Sequence, residues 1–151
     1  MQITEIRKLV TADQTAQLAP IFREAFDTSP STIFLERLNE KSDLSVLLAH
    51  DEDALIGFKI GYTRFKGIFF SWLGAVAFSH RRNGVARQLV QHQHKLCLDR
   101  GYDEIQTESA GTNQAMLILN LKEGFEVSGM HLGYGDTLTV QLRKHLQQNK
   151  I

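Results

Sequence analysis

The run Arg81-Arg82-Asn83-Gly84-Val85-Ala86 has the residue types of an anion site. It lies between the apolar stretch Phe69 to Phe78, which reads as a buried strand, and a stretch with helical spacing of apolar residues. The first turn of a helix presents backbone N–H groups without intrahelical partners and the positive end of the helix dipole, so phosphate is a natural ligand there. Gly84 lets a ligand come close to the backbone, Ala86 is nearly as small, and Arg81 and Arg82 add positive charge at the mouth. A phosphate-bearing ligand is expected. The residues exclude two kinds. A nucleoside-triphosphate loop needs a glycine-rich run ending in Gly-Lys-Ser/Thr, which is absent. A dinucleotide fingerprint needs three spaced glycines, and Gly84 is the only glycine of the turn.

Composition narrows the setting. The chain has 151 residues, the usual size of one domain, and no proline-rich, repetitive or low-complexity boundary, so a single domain over 1–151 is expected. Formal net charge is zero, which argues against nucleic-acid or anionic-membrane partners. A lone Cys97 allows no internal disulfide. No apolar run has membrane-spanning length, and residues 1–20 lack a signal-peptide core, so a cytoplasmic protein is expected. His92 and His94 stand two apart on a helix and do not share a face, and no metal site is expected.

The elements around the turn follow from periodicity. Residues 2–10 read as a strand. A helix capped by Thr11 or Asp13 runs to about Phe26, and a second covers about Ser31 to Lys41. Strands follow at 44–49, Ala54 to Phe65 and Ile68 to Phe78, the last apolar on both faces and so central. In the middle one, Gly57, Lys59 and Gly61 share a face, leaving room for either a ligand or a tightly crossing helix. A helix over 84–100 points Val85, Leu89, Leu96 and Cys97 inward and stops at Gly101. A strand carrying Ile105 and Thr107, a helix from Asn113 to Glu123, and strands at Phe125 to Leu132 and Thr137 to Leu142 complete the chain. The order β-α-α-β-β-β-α-β-α-β-β predicts an α/β fold, a mixed sheet flanked by about four helices.

With these elements in place, the chain resembles the GCN5-related N-acetyltransferase superfamily. Arg81-Arg82-Asn83-Gly84-Val85-Ala86 matches that family's cofactor signature, Arg/Gln-x-x-Gly-x-Gly/Ala, at the helix after the central strand. Asn113 with Gly124-Phe125 eleven residues later matches a second element, and Met116 and Asn120 fit a common variant of it. The resemblance implies an acyl-CoA N-acyltransferase-like fold and acetyl-CoA, or another acyl-CoA, as donor. It implies that Val76 and Phe78 pair with the pantetheine arm. It further implies that N–H groups from Arg82, Asn83, Gly84, Val85, Ala86 and Arg87 hold the pyrophosphate, with Arg81 opening the motif and Asn113 and Asn120 beside the arm and thioester.

Acetyl transfer to an amine requires a base, because an alkyl ammonium has a pKa of about 10.4. Glu108, five residues before Asn113, stands where some ribosomal-protein and N-terminal acetyltransferases of the family have their base glutamate. The opposing reading is a solvated carboxylate on the polar face of Glu104, Gln106 and Glu108. His80, His131 and Asp136 are other ionisable candidates. The resemblance makes the Val76 N–H the oxyanion donor. Many family members place an acidic tyrosine four residues before Gly-Phe, where this chain has Asn120; Tyr134 is the alternative acid. Protonating a departing thiolate near neutral pH is worth only roughly 2 kcal/mol, so the missing tyrosine does not preclude activity. The function expected is N-acetyl transfer to an amine of a small molecule or peptide, by a monomer or homodimer. The alternative is a CoA-binding module of the same fold without catalysis. Gly84→Glu is expected to abolish CoA binding in calorimetry, because it puts bulk and negative charge into the phosphate site; an unchanged affinity would mean that the turn holds no phosphate.

Overall fold

The computed structural model describes residues 1–8 and 11–146. Leu9, Val10, residues 147–151 and the Tyr134 side chain lie outside the described residues. The elements are β1 (Gln2–Ile6), α1 (Ala12–Phe26), α2 (Thr32–Asn39), β2 (Ser45–Asp51), β3 (Ala54–Phe65), β4 (Ile68–Val76), α3 (Val85–Asp99), β5 (Glu104–Ala110), α4 (Gln114–Lys122), β6 (Glu126–Leu132) and β7 (Leu138–His145). Their order is the one the periodicity predicts.

Local signals set the helix ends. Thr11 closes a capping box: its hydroxyl accepts from the Gln14 N–H at 3.1 Å, and the Gln14 side chain accepts from the Thr11 N–H at 3.2 Å. Ser31 caps α2 through the Phe34 N–H at 3.1 Å. The end of α1 is set by Asp27 in the left-handed region rather than by the following proline, and the helix runs through Pro20 at the cost of one internal hydrogen bond.

The described strands form one sheet in the order β1-β2-β3-β4-β5-β7-β6. All neighbours are antiparallel except β4 and β5, which run parallel because α3 crosses between them. One face packs on α1 and α2 through Leu18, Ile21, Phe22, Leu38, Val46, Phe58 and Ile60. On the other, Val85 and Leu89 of α3 meet Leu47 and Ala49, and Cys97 meets Phe69, Ile105, Phe125 and Leu142. Ile56 packs with the α3 group and not with Phe58 and Ile60, near where a register shift in β2–β3 interrupts the alternation. The inward face of α3 also differs from expectation: Gln93 and His94 are buried with Val85, Leu89, Val90 and Cys97, while Leu96 is half-buried.

The two glycines of β3 serve packing. A Cβ on Gly57 would lie 3.3 Å from both Leu89 and Val85, so this glycine is where α3 crosses the sheet. At Gly61 a Cβ would meet the Phe69 ring at 2.3 Å and the Phe70 carbonyl at 2.7 Å. Gly61→Ala is therefore expected to destabilise the fold by about 2–3 kcal/mol, read as a lowered urea midpoint at unchanged m-value.

Candidate functional site

The parallel pairing of β4 with β5 covers only Ile68–Ser71 against Glu104–Thr107. At that limit the Thr107 hydroxyl donates to the Ser71 carbonyl at 2.8 Å. The next residue of β4, Trp72, is a bulge: Gly61 pairs with Ser71 and Ile60 with Leu73, leaving Trp72 without an opposite number. A bulge bends its strand and increases local twist. Beyond it β4 stays with β3 and β5 stays with β7, and the sheet forks.

A cleft of about 580 Å³ occupies the fork, a volume in the usual range for small-molecule sites. Gly74, Ala75 and Val76 form one side, Asn113, Ala115, Met116 and Leu119 the other. Ala86, Leu89 and Val90 of α3 border it, and Ala25, Phe26 and Phe58 line it from the α1 side. The cleft thus passes through the sheet. Ala77 donates to the Ile56 carbonyl across the β3–β4 ladder at 2.8 Å. By the alternation of antiparallel pairing, the N–H and C=O groups of Val76 and Gly74 turn toward the cleft.

The basic turn closes one end. Arg82 (φ 65°) and Gly84 (φ 78°) are both left-handed. For Arg82 this conformation costs on the order of 1–3 kcal/mol, the kind of strain that collects at binding sites. A Cβ on Gly84 would have no neighbour within 4 Å, so its surroundings are open. Arg81 and Arg82 line the cleft. Arg81 is fixed by its Nε bond to the Val76 carbonyl at 3.1 Å and by stacking 3.8 Å from the Phe78 ring centre. Among the described residues neither arginine is paired with a carboxylate. The Arg87 side chain, in contrast, is engaged with Glu123 at 2.8 Å.

Other expected site residues are placed as follows. Phe78 lies past the end of β4 in a 3-10 turn, and its N–H donates to the Glu24 carboxylate of α1 at 2.8 Å. Asn113 borders the cleft and caps α4 by accepting from the Met116 N–H at 3.3 Å. Asn120 is buried and is not among the lining residues. Asn83 and Val85 flank Gly84, exposed and buried respectively. His80 is held between Ser79 at 2.8 Å and Asp51 at 3.2 Å. His131 is exposed on β6, and Asp136 sits in a left-handed turn. Trp72 packs on Phe34 and Tyr62.

Glu108 is the first residue of β5 past its last pair with β4, at the crotch of the fork. Ile105 and Thr107 point toward α3, so Glu108 faces the opposite side of the sheet. There it lines a smaller pocket of about 230 Å³ with Arg64, Gln106, Ser128 and Gln141. Gln106 is tied to Glu104 at 2.6 Å and to Arg64 at 3.3 Å, whereas Glu108 has no hydrogen-bond or ion-pair partner among the described residues. Burial lifts the Tyr62 phenol above its ordinary pKa; Arg64 opposes that shift and the charge of Glu108 adds to it.

Lys59 also lines the main cleft, and the sequence reading gave it no role. It is 9% exposed and has no hydrogen-bond or ion-pair partner among the described residues. Burial pushes its ammonium down to about 8. Nearby, burial and the charges of Lys144 and Lys59 push His94 down to about 3, so this imidazole is neutral and accepts at Nδ1 from Lys144 at 3.0 Å. Among the described residues the Gln93 amide and His94 Nε2 have no hydrogen-bond partner. A sequence signal for Lys59 exists: it is the single charged residue in the run Leu55 to Gly61. Burial holds the Cys97 thiol up at about 12, so it is inert near neutral pH. Among the described residues no cluster of His, Cys, Asp and Glu is placed to hold a metal ion, and no helix is long and apolar enough to cross a membrane.

A family model, the acetyltransferase (GNAT) family, matches residues 11–125. The chain belongs to the GNAT acetyltransferase family. The match spans the capping box of α1, the fork, the basic turn and Asn113. GNAT structures share the whole fold. The ribosomal-protein-S18-alanine N-acetyltransferase of Escherichia coli superposes with a TM-score of 0.82 at 16% identity, over 99% of each chain. The aminoglycoside 6'-N-acetyltransferase of Enterococcus faecium gives 0.81 at 17% identity, over 100% of each chain. A structure of an aminoglycoside 6'-N-acetyltransferase complexed with coenzyme A gives 0.82 at 16% identity, over 100% of each chain. At such identities the likeness is one of fold. No curated protein sequence matches the chain.

The buried ammonium gives a stability prediction. Lowering a lysine from 10.5 to about 8 means that the unfolded chain binds this proton more tightly. The fold bears the full cost, about 3 kcal/mol, below pH 8, and stability rises as pH climbs from 8 toward 10.5. Lys59→Met is expected to be more stable than the natural protein at pH 7 by up to that amount. The difference in urea unfolding free energy should shrink across the pH window.

Proposed function

We propose that this chain is an N-acetyltransferase that moves an acetyl group from acetyl-CoA to a primary amine by direct attack on the thioester. The observation that carries this reading is the cleft at the fork, bordered by the start of α3 and the free edge of β4, with Glu108 next after the last β4–β5 pair. The turn at Arg82 to Arg87 binds the pyrophosphate through its N–H groups, with Arg81 and Arg82 supplying charge. The cleft edge of Val76 pairs with the pantetheine arm, and its N–H is the oxyanion donor. Glu24 takes up the Phe78 N–H, which removes that group from the arm's contacts. Asn113 keeps its side-chain N–H₂ for the donor, since its oxygen caps α4.

The acceptor enters from the opposite face. Glu108, without a hydrogen-bond or ion-pair partner among the described residues, takes the ammonium proton directly or through a water. The amine nitrogen then attacks the carbonyl carbon, the carbon–sulfur bond breaks with its electron pair left on sulfur, and the nitrogen gives up its second proton to water. Polyamines, amino acids, antibiotics and protein N-termini all carry the required group. We read residues 1–151 as one such domain acting in the cytoplasm.

Two measurements test this reading. Acetyl-CoA consumption against an amine panel should reveal turnover on at least one member; tight CoA binding with no turnover on any amine would instead make the chain a binding module. On the amine found, Glu108→Gln should lower kcat by about 10²–10⁴ with CoA affinity unchanged. A kcat within twofold of the natural protein would remove Glu108 from the role of base.

A further inference from the structure

Lys59 is a poor choice for a structural residue. An ammonium buried without a counter-ion weakens the fold, and a methionine of similar length would fill the same space. Its position therefore needs a reason. Lys59 pairs with Gly74 across the β3–β4 ladder. A Cβ on Gly74 would lie 3.6 Å from Lys59 Cγ and 3.7 Å from its Nζ, so the side chain lies across β4 and its ammonium sits over Gly74. Gly74 is on the cleft side of the bulge, within the open part of the fork.

Among the described residues no carboxylate pairs with this ammonium. His94 on α3 is neutral, Lys144 beyond it is occupied by His94 and the Glu123 carbonyl, and Arg81 and Arg82 stand exposed at the mouth. Lys59 is thus the only buried charge among the lining residues. A group entering from the phosphate turn along Val76 meets it last, at the inner end of the arm. Two anions form there during acyl transfer: the carbonyl oxygen, which the Val76 N–H takes up, and the sulfur, which is left for Lys59.

We propose that Lys59 is the cation that stabilises the thiolate released from the donor, a catalytic residue in place of an acid at position 120. This rests on the acetyl-CoA reading above. As the carbon–sulfur bond breaks, its electron pair stays on sulfur, and the Lys59 ammonium donates a hydrogen bond to it. No proton need cross at that moment. Glu108 passes the ammonium proton to solvent, the attacking nitrogen loses its second proton to water as the amide forms, and the sulfur takes one from solvent as CoA leaves. An ammonium with a lowered pKa is less stabilised by its surroundings when empty, and gains more from the arriving negative charge.

The test uses CoA itself and needs no acceptor. The thiol of bound CoA is titrated by its thiolate ultraviolet absorbance, with desulfo-CoA as the blank. Cys97 does not interfere, since its thiol titrates only at about 12. In the natural protein the bound thiol should titrate at least one unit below its ordinary value of about 8.5. In Lys59→Met it should return to that value or above, while desulfo-CoA binds both proteins equally. A bound thiol with the same pKa in both proteins would overturn the role of Lys59 and leave the donor reading intact. CoA that binds neither protein would overturn both. With an acceptor in hand, Lys59→Met should lower kcat about 10²-fold or more with little change in KM for acetyl-CoA.

Discussion

Four residue pairs between β4 and β5 are the constraint on which the rest of the structure depends. Were the two strands to pair along their whole length, Gly74 and Val76 would spend their N–H and C=O groups on β5. The sheet would be closed. Because the pairing stops at Ser71 and Thr107, and the bulge at Trp72 turns β4 aside, those groups face a cleft. The same fork aligns three things that lie far apart in sequence: the start of α3, the inner end of the cleft at Lys59, and Glu108. Each lies on a rigid element, so the site is positioned by the scaffold and not by flexible loops.

The cleft also explains an expense in the fold. The chain keeps a buried ammonium over Gly74 and a left-handed arginine in the basic turn, and neither improves packing. Around them the core is ordinary: Gly57 admits α3 against the sheet, Gly61 admits the Phe69 ring, and Cys97 is a small buried hydrophobe. A buried charge kept beside an open cleft is what a binding site on a marginally stable scaffold should show.

Much of this was legible in the sequence, for identifiable reasons. Element order and helix starts follow from local signals, such as the Thr11 and Ser31 caps and the alternation of β3, which depend on a few neighbouring residues. The basic turn and Asn113 were legible because helix starts announce themselves by type and spacing. What remained hidden depends on contacts distant in the chain. The insertion of β7 between β5 and β6 is not a local property. Nor is the capture of the Phe78 N–H by Glu24, 54 residues away. Gly57 and Gly61 looked equally suited to a ligand or a helix, and only the positions of Leu89 and Phe69 decide. Lys59 read as one polar residue on a strand face, because its burial is produced by α3 and β4 together.

The central claim is that the fork and the basic turn together hold the donor. Backbone amide hydrogen exchange, followed with and without CoA, tests it most directly. The account predicts slowed exchange confined to Gly74, Val76 and the amides from Arg82 to Arg87, with the far strands β1 and β6 unchanged. CoA that binds while those amides exchange as before, or that protects a different surface, would contradict it.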